Sequence, residues 1–270
     1  MLSVQSGTLP RPDDPSWPPV LLCLLGGFQL FRNGQPVGVR SRGKSEALLA
    51  LLGLADRGVP REQLLDSLWP DSEPSLAGQA LNSLVHSLRG LLGSALDGAP
   101  PIVHAAGRYQ LNTAAGVATD VARFDSLVTR GEQHERLGQK GSAADAYAQA
   151  VSLYRGDLAS AGESGVQAIM ERERLRAAYL TLLVRLADHA YDEADFRACL
   201  AYALRLLGHD PCREDAHRLV MRCHVRLGER AQALRHYATI RAILRTEFQT
   251  EPEAATLALF ERVRLDPGSV

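Results

Sequence analysis

The sequence lacks an excess of charge of either sign. Its 270 residues include 30 lysines and arginines and 31 aspartates and glutamates, which gives a formal net charge of −1. Residues 1–112 share this balance, with nine basic and nine acidic side chains. Bulk charge therefore does not indicate a nucleic-acid partner. If DNA is the ligand, the cations that hold it must be concentrated locally.

Long apolar runs and a secretory signal are missing as well. The early apolar run Val20–Leu25 is too short to span a membrane, and it follows proline-rich, acidic residues rather than a basic segment. Four cysteines in a chain of this length fit a reducing compartment. Lysine is scarce, since 28 of the 30 basic residues are arginine, which is typical of a GC-rich bacterial genome. We therefore expect a bacterial protein of the cytoplasm with no membrane partner.

The first part of the chain has the pattern of a small mixed domain behind an extension. Residues 1–19 contain five prolines and are predicted to be a disordered extension or a loosely docked arm. Two strand-like segments, Val20–Phe31 and Pro36–Val39, flank Asn33-Gly34, which is a strong hairpin signal. The domain therefore begins with a small antiparallel sheet.

Three helices and a second hairpin follow. Apolar periodicity predicts helices over residues 45–58, 61–68 and 76–92, and residues 102–111 have the pattern of a β-hairpin around a glycine turn. Strands, three helices and a closing hairpin are the order of a winged helix-turn-helix domain. We place this domain, of class α+β, at residues 20–112.

The remainder of the chain is helical in pattern and contains a repeat. After a linker predicted at residues 113–119, helical periodicity runs over residues 120–265, and tetratricopeptide-like copies begin at Gly138, Ala194 and Gly228, the last two 34 residues apart. Small and aromatic residues recur at fixed positions after each start, where they let paired helices approach. These positions are Ala143, Tyr147 and Ala150; Cys199, Ala203 and Leu206; Ala233, Tyr237 and Ile240. We predict a mainly α protein whose winged helix precedes an all-α, tetratricopeptide-like repeat domain, with generic antiparallel helices as the alternative.

Both parts resemble one family. Residues 25–111, with "LLGGFQLFRNGQPV", "REQLLDSLWPD", "ALNSLVHSLRGLLG" and "GRYQL", resemble the winged helix of the Streptomyces antibiotic regulatory protein (SARP) family. The second part, with "YRGDL", "ERERLRAAYL" and "EPEAAT", is similar to that family's bacterial transcriptional activator domain (BTAD). The resemblance implies a transcription regulator, usually an activator, that binds direct repeats in promoter DNA and helps RNA polymerase engage.

The third helix of the winged domain is the expected reader of DNA. Its polar face would enter the major groove, where side chains meet base edges. Gln79 and Asn82 are suited to adenine, Arg89 to guanine or phosphate, and Arg108 in the hairpin to the minor groove. Ser83 and His86 would contact bases or phosphate. Three cations at a strand-to-helix junction, Arg40, Arg42 and Lys44, are predicted to clamp the DNA backbone.

The third helix also departs from the family pattern. It carries few cations where relatives carry several, and Gly78 and Gly90 weaken it by up to ~1 kcal/mol each. These features keep a second function open, in which the protein is an adaptor that binds DNA weakly. It would act through protein or effector binding on its repeat domain.

A nucleotide-binding motif and a metal site are the remaining alternatives. Residues 38–45, GVRSRGKS, match the P-loop pattern, but the preceding strand is short and the βα units of a P-loop sheet do not follow. Cys212, His217, Cys223 and His224 are scattered over helical faces, so buried structural thiols are favoured over a metal site. We therefore expect no cofactor, no metal and no enzymatic activity. A homodimer on DNA is the expected assembly.

Overall fold

The computed structural model describes residues 18–39, 43–55, 57–158 and 166–270, with side chains from residue 168 in the last range. The predicted extension, apart from Pro18 and Pro19, lies outside the described residues. The chain divides into two compact units. The first runs as far as Arg130 and also includes residues from 149 to 176, and the second comprises residues 131–148 and 177–270. No helix of the described residues is both long and apolar enough to cross a membrane.

Seven strands among the described residues form two sheets in the first unit. They are β1 (Val20–Cys23), β2 (Gln29–Arg32), β3 (Gln35–Pro36), β4 (Val59–Pro60), β5 (Ile102–Ala105), β6 (Arg108–Leu111) and β7 (Val117–Thr119). The four-stranded sheet has the order β3-β2-β1-β7, and the three-stranded sheet has the order β4-β6-β5. Strand β1 pairs antiparallel with β2 and parallel with β7.

Residues 113–119, which were predicted to be a linker, are part of the first unit in the structure. These residues form a short 3₁₀ turn followed by β7, in which Val117 pairs with Val20 and is buried. The segment is ordered because it completes the hydrogen bonding of one edge of β1. It therefore belongs to the N-terminal sheet.

Three helices follow β3 in the chain and precede β5: α1 (Lys44–Gly53), α2 (Arg61–Leu68) and α3 (Pro74–Leu92). Helix α1 ends at Gly53, five residues before the predicted end, and the chain turns at Gly58, with a φ of +69°, just ahead of β4. Helix α3 begins at Pro74, where the missing N–H costs nothing, and Glu73 caps its first turn by accepting from the N–H of Leu76. Its apolar stripe is buried, as predicted, at Leu81, Val85, Leu88 and Leu92.

The rest of the described chain is helical. The helices are α4 (Asp120–Arg136), α5 (Lys140–Leu153), α6 (Val166–Asp192), α7 (Phe196–His209), α8 (Glu214–Arg226), α9 (Arg230–Phe248) and α10 (Ala254–Leu265). Thr119 begins α4 as its cap, with its hydroxyl oxygen accepting from the N–H of Ala122 at 3.0 Å. The side chain of Asp195 caps α7 in the same way.

The same turn joins the helices of each predicted repeat. Gly138, Ala194 and Gly228 have φ values of 72°, 57° and 79°. The residue after each of them donates its N–H to a carbonyl five residues back: Gln139 to His134, Asp195 to Ala190, and Glu229 to His224. This is the geometry of a Schellman helix end. All nine repeat positions predicted after the turns are buried, so the repeat alignment and the fold class are confirmed.

Candidate nucleic-acid interface

The polar face of α3 is exposed. Gln79, Asn82, Ser83 and His86 are all solvent-accessible, and their spacing of three, four and seven residues places them on one side of the helix. The opposite side is the buried apolar stripe. The four side chains predicted to contact DNA therefore form a continuous polar strip on a helix whose other side is packed into the core, and their contact with DNA stays a prediction.

Arg89 makes an internal contact in this structure. Its Nε and one terminal nitrogen lie 3.3 and 3.1 Å from the carbonyl oxygen of Ile102, to which both donate. This bidentate contact joins the C-terminal part of α3 to β5. The guanidinium that was expected to reach guanine or phosphate is thus used to fix the reading helix against the hairpin.

Arg108 is also used internally. Its Nε donates to the carbonyl of Arg57 at 2.9 Å, and a terminal nitrogen donates to the carbonyl of Gly58 at 2.7 Å. A Cβ on Gly58 would lie 2.6 Å from the carbonyl oxygen of Tyr109, so this connection packs closely on the hairpin. Arg108 therefore ties the loop before β4 to β6, and its contact with the minor groove stays a prediction.

The predicted backbone clamp is only partly visible. Arg40 and Arg42 lie outside the described residues. The ammonium of Lys44 donates to the carbonyl of Leu68 and lies 5.7 Å from the ring centroid of Trp69, and Ser45 is buried. Lys44 thus holds α1 against the end of α2, and the buried Ser45 is not accessible as the serine of a P-loop would be.

Arg61 is a residue that sequence reasoning missed. From the first turn of α2, one terminal nitrogen donates to Oδ1 of Asn82 at 3.2 Å and to the hydroxyl of Tyr109 at 3.1 Å. It thereby connects the reading face of α3 to the hairpin. The one signal in the sequence is Gly78, a helix-weakening residue for which the pattern alone provides no reason.

The cysteines and histidines of the second part do not gather into a metal site. Cys199 and Cys223 are buried together in an apolar cluster, as predicted for structural thiols. His217 contacts His236 and the carbonyl of Pro211, while His224 contacts Glu229. Within the described ranges, no group of three or more potential ligands is placed to hold a metal ion.

A cavity of about 380 Å³ opens in the second unit. Tyr147 forms part of its wall and accepts a hydrogen bond from Arg185 at 2.6 Å, and Arg185 also pairs with Glu135 at 2.6 Å. Asp188, on the same wall, has its carboxyl pKa raised by burial and then by the charges of Asp192 and Asp215. The cavity thus combines an aromatic wall with an excess of negative charge.

Comparison with protein families identifies the second part of the chain. The profile of the bacterial transcriptional activator domain matches residues 119–264. The match covers more than half of the chain and coincides with helices α4 to α10.

Relatives match nearly the whole chain. Regulatory protein AfsR of Streptomyces coelicolor is 29% identical over 246 residues, which cover 91% of this chain and 24% of AfsR. Regulatory protein DnrI of Streptomyces peucetius is 29% identical over 260 residues, which cover 91% of this chain and 92% of DnrI. The chain therefore spans about a quarter of the length of AfsR and most of DnrI.

A solved structure supports the fold. Mycobacterium tuberculosis EmbR, in complex with a low affinity phosphopeptide, matches with a TM-score of 0.71 at 23% identity, over 93% of this chain and 68% of EmbR. The architecture of a winged helix followed by helical repeats is thus shared with EmbR.

Proposed function

This chain belongs to the SARP family of regulators with a bacterial transcriptional activator domain, and we propose that it is a sequence-specific, DNA-binding activator of transcription. It binds direct repeats in promoter DNA, as a homodimer at the nucleoid, and helps RNA polymerase engage there.

The exposed polar face of α3 is the observation that carries this proposal. An α-helix fits the width of the major groove, and this face carries hydrogen-bonding groups that can meet base edges there. They belong to Gln79, Asn82, Ser83 and His86. In this proposal they contact base edges. Arg89 and Arg108 act indirectly, because their contacts hold α3 and the hairpin in position.

Backbone contacts come from the junction before α1. Arg40 and Arg42 keep their predicted role as phosphate ligands in the proposal. Lys44 contributes positive charge from its place at the start of α1, and the three together supply the local concentration of cations that a neutral chain needs.

Binding of the purified protein to a duplex from its own promoter region tests the proposal. We expect specific binding that weakens with salt, and Gln79→Ala should cost ~1–3 kcal/mol of affinity and relax sequence preference. The matched control is Gln133→Ala, an exposed glutamine on α4, which should bind like the wild type. Fluorescence anisotropy against promoter and scrambled duplexes measures both.

An adaptor function is the second candidate, and the cavity beside Tyr147 favours it. Its excess of carboxylates suits a cationic group of a protein or effector. A wild-type protein that binds promoter and scrambled duplexes equally at low salt would refute the activator proposal and leave the adaptor function in its place.

A further inference from the structure

The side chain of Arg61 lies between α3 and the hairpin, and its partners among the described residues are neutral. It is half-buried, and its donors meet the carboxamide oxygen of Asn82 and the hydroxyl of Tyr109. Within the described part of the chain, no carboxylate pairs with it. Among the described residues its positive charge is therefore not neutralised, and it lies beside the exposed polar face of α3.

Gly78 makes this position possible. A Cβ on Gly78 would lie 2.7 Å from a terminal nitrogen of Arg61, closer than such atoms approach in folded proteins. Any larger residue would push the guanidinium away from α3. The close approach of Arg61 thus gives a structural reason for a glycine near the start of α3, where helix propensity disfavours it.

The contact also fixes the orientation of Asn82. Arginine has donors and no acceptor, so the carboxamide oxygen of Asn82 must face Arg61 and its NH₂ group must point away. Asparagine reads adenine by accepting from N6 and donating to N7 at the same time. With one lone pair of its oxygen engaged by a guanidinium, Asn82 directs its NH₂ donors away from Arg61.

We propose that Arg61 and Asn82 form one unit of hydrogen-bond donors that reads the O6 and N7 acceptors of guanine in the major groove, with Gly78 providing the space for Arg61. The inference rests on the proposed function, and it replaces the adenine contact expected for Asn82. Adenine is disfavoured because its N6 amino group would place a donor against the donors of this unit.

Competition with modified promoter duplexes tests the proposal. Each guanine of the bound duplex is replaced in turn by 7-deazaguanine, which lacks the N7 acceptor, and each adenine by 7-deazaadenine. For the wild type we expect one guanine per half-site whose replacement weakens binding about tenfold. Arg61→Ala should lower promoter affinity and lose sensitivity at that guanine, while affinity for scrambled duplex at low salt changes little.

Arg61→Ala also removes a positive charge, so two glycine variants that keep the guanidinium are added to the test. Gly78→Ala displaces Arg61 and should lose the same sensitivity. Gly90→Ala is the control on the same helix, because the added methyl meets nothing within 4 Å, and it should retain the sensitivity. Thermal melting of each variant shows that it is folded.

Three results would overturn the proposal. The first is an Arg61→Ala variant that loses affinity for promoter and scrambled duplexes equally, because such a uniform loss would make Arg61 a phosphate contact. The second is a wild type whose binding is weakened by 7-deazaadenine at one position, with that sensitivity lost in Asn82→Ala. This result would show that Asn82 contacts adenine. A wild type without any preference for the promoter would refute the proposed function itself, and with it this inference.

Discussion

At residue 131 the ring of Tyr147 leaves no space for a side chain. Gly131 lies inside α4, and a Cβ at this position would be 2.2 Å from Cε1 of Tyr147. The ring of Tyr147 is 2% exposed, and its hydroxyl accepts from Arg185. Because the ring is buried and its hydroxyl is hydrogen-bonded, a Cβ at residue 131 would force the ring or the helix to shift.

Gly131→Ala is therefore expected to destabilise the protein by ~1–3 kcal/mol through overpacking, although alanine favours helix. Gly141→Ala is the matched control, because it lies on α5 where an added Cβ meets nothing within 4 Å. Chemical denaturation of both variants measures the difference. Equal stabilities would show that Tyr147 relaxes without cost.

Helices α8 and α9 meet through a pair of neutral histidines. His217 Nε2 lies 2.9 Å from the carbonyl oxygen of Pro211, which can only accept, so Nε2 carries the proton. His217 Nδ1 then accepts from Nε2 of His236, at 2.8 Å. Burial, followed by the neighbouring His217 and His224, lowers the pKa of His236 from 6.5 to about 4, and burial lowers the pKa of His217 as well.

These lowered pKa values predict how stability depends on pH. The folded state disfavours the charged rings, so the stabilisation is complete above pH 6.5 and is lost as the pH falls towards about 4. His236→Gln retains a donor towards His217 but does not titrate. Its melting temperature should fall by several degrees less than that of the wild type over this interval.

His86→Gln, an exposed histidine of α3, is the control for this prediction and should behave like the wild type. Glu214, Asp210 and Asp215 face His217 and favour its charged form, so they limit the size of the effect. If the melting temperatures of His236→Gln and the wild type fall by the same amount between pH 6.5 and about 4, the prediction is wrong.

At the scale of the whole molecule, the N-terminal sheet depends on residues beyond the winged helix. The carboxylate of Asp120 accepts from the N–H groups of Leu24 and Leu25 at 2.8 and 3.0 Å. Gly26 donates its N–H to the carbonyl of Asp157, and Leu25 forms a bridge with Leu158. The end of β1 is thus covered by the start of α4 and by the segment after α5.

A fragment that ends at Asn112 should therefore be much less stable than one that ends at Arg176. It lacks β7, Asp120 and the segment with Leu158, and its buried apolar residues on β1 become exposed. We expect a melting temperature lower by roughly 10 °C or more, or no cooperative transition. Circular dichroism of both fragments is the measurement, and equal melting temperatures would support a domain boundary at residue 112.

Much of the fold was predictable because its signals are local. Helix α2 has the predicted bounds, α3 begins two residues early, and β5 and β6 form the predicted hairpin. The exposed face of α3 followed from the same periodicity. The contacts of Arg89, Arg108 and Arg61 did not, because each guanidinium donates to an acceptor in a distant part of the chain.

The sequence by itself determined the order of elements, the period of the repeats and the side of α3 that faces solvent, since each depends on residues within one or two helical turns. Tertiary structure alone decided that residues 117–119 form a strand with β1 and that Arg61 lies across Gly78. These contacts join segments that are distant in the chain. Which donor meets which acceptor is settled only when packing brings the two together and excludes water from them.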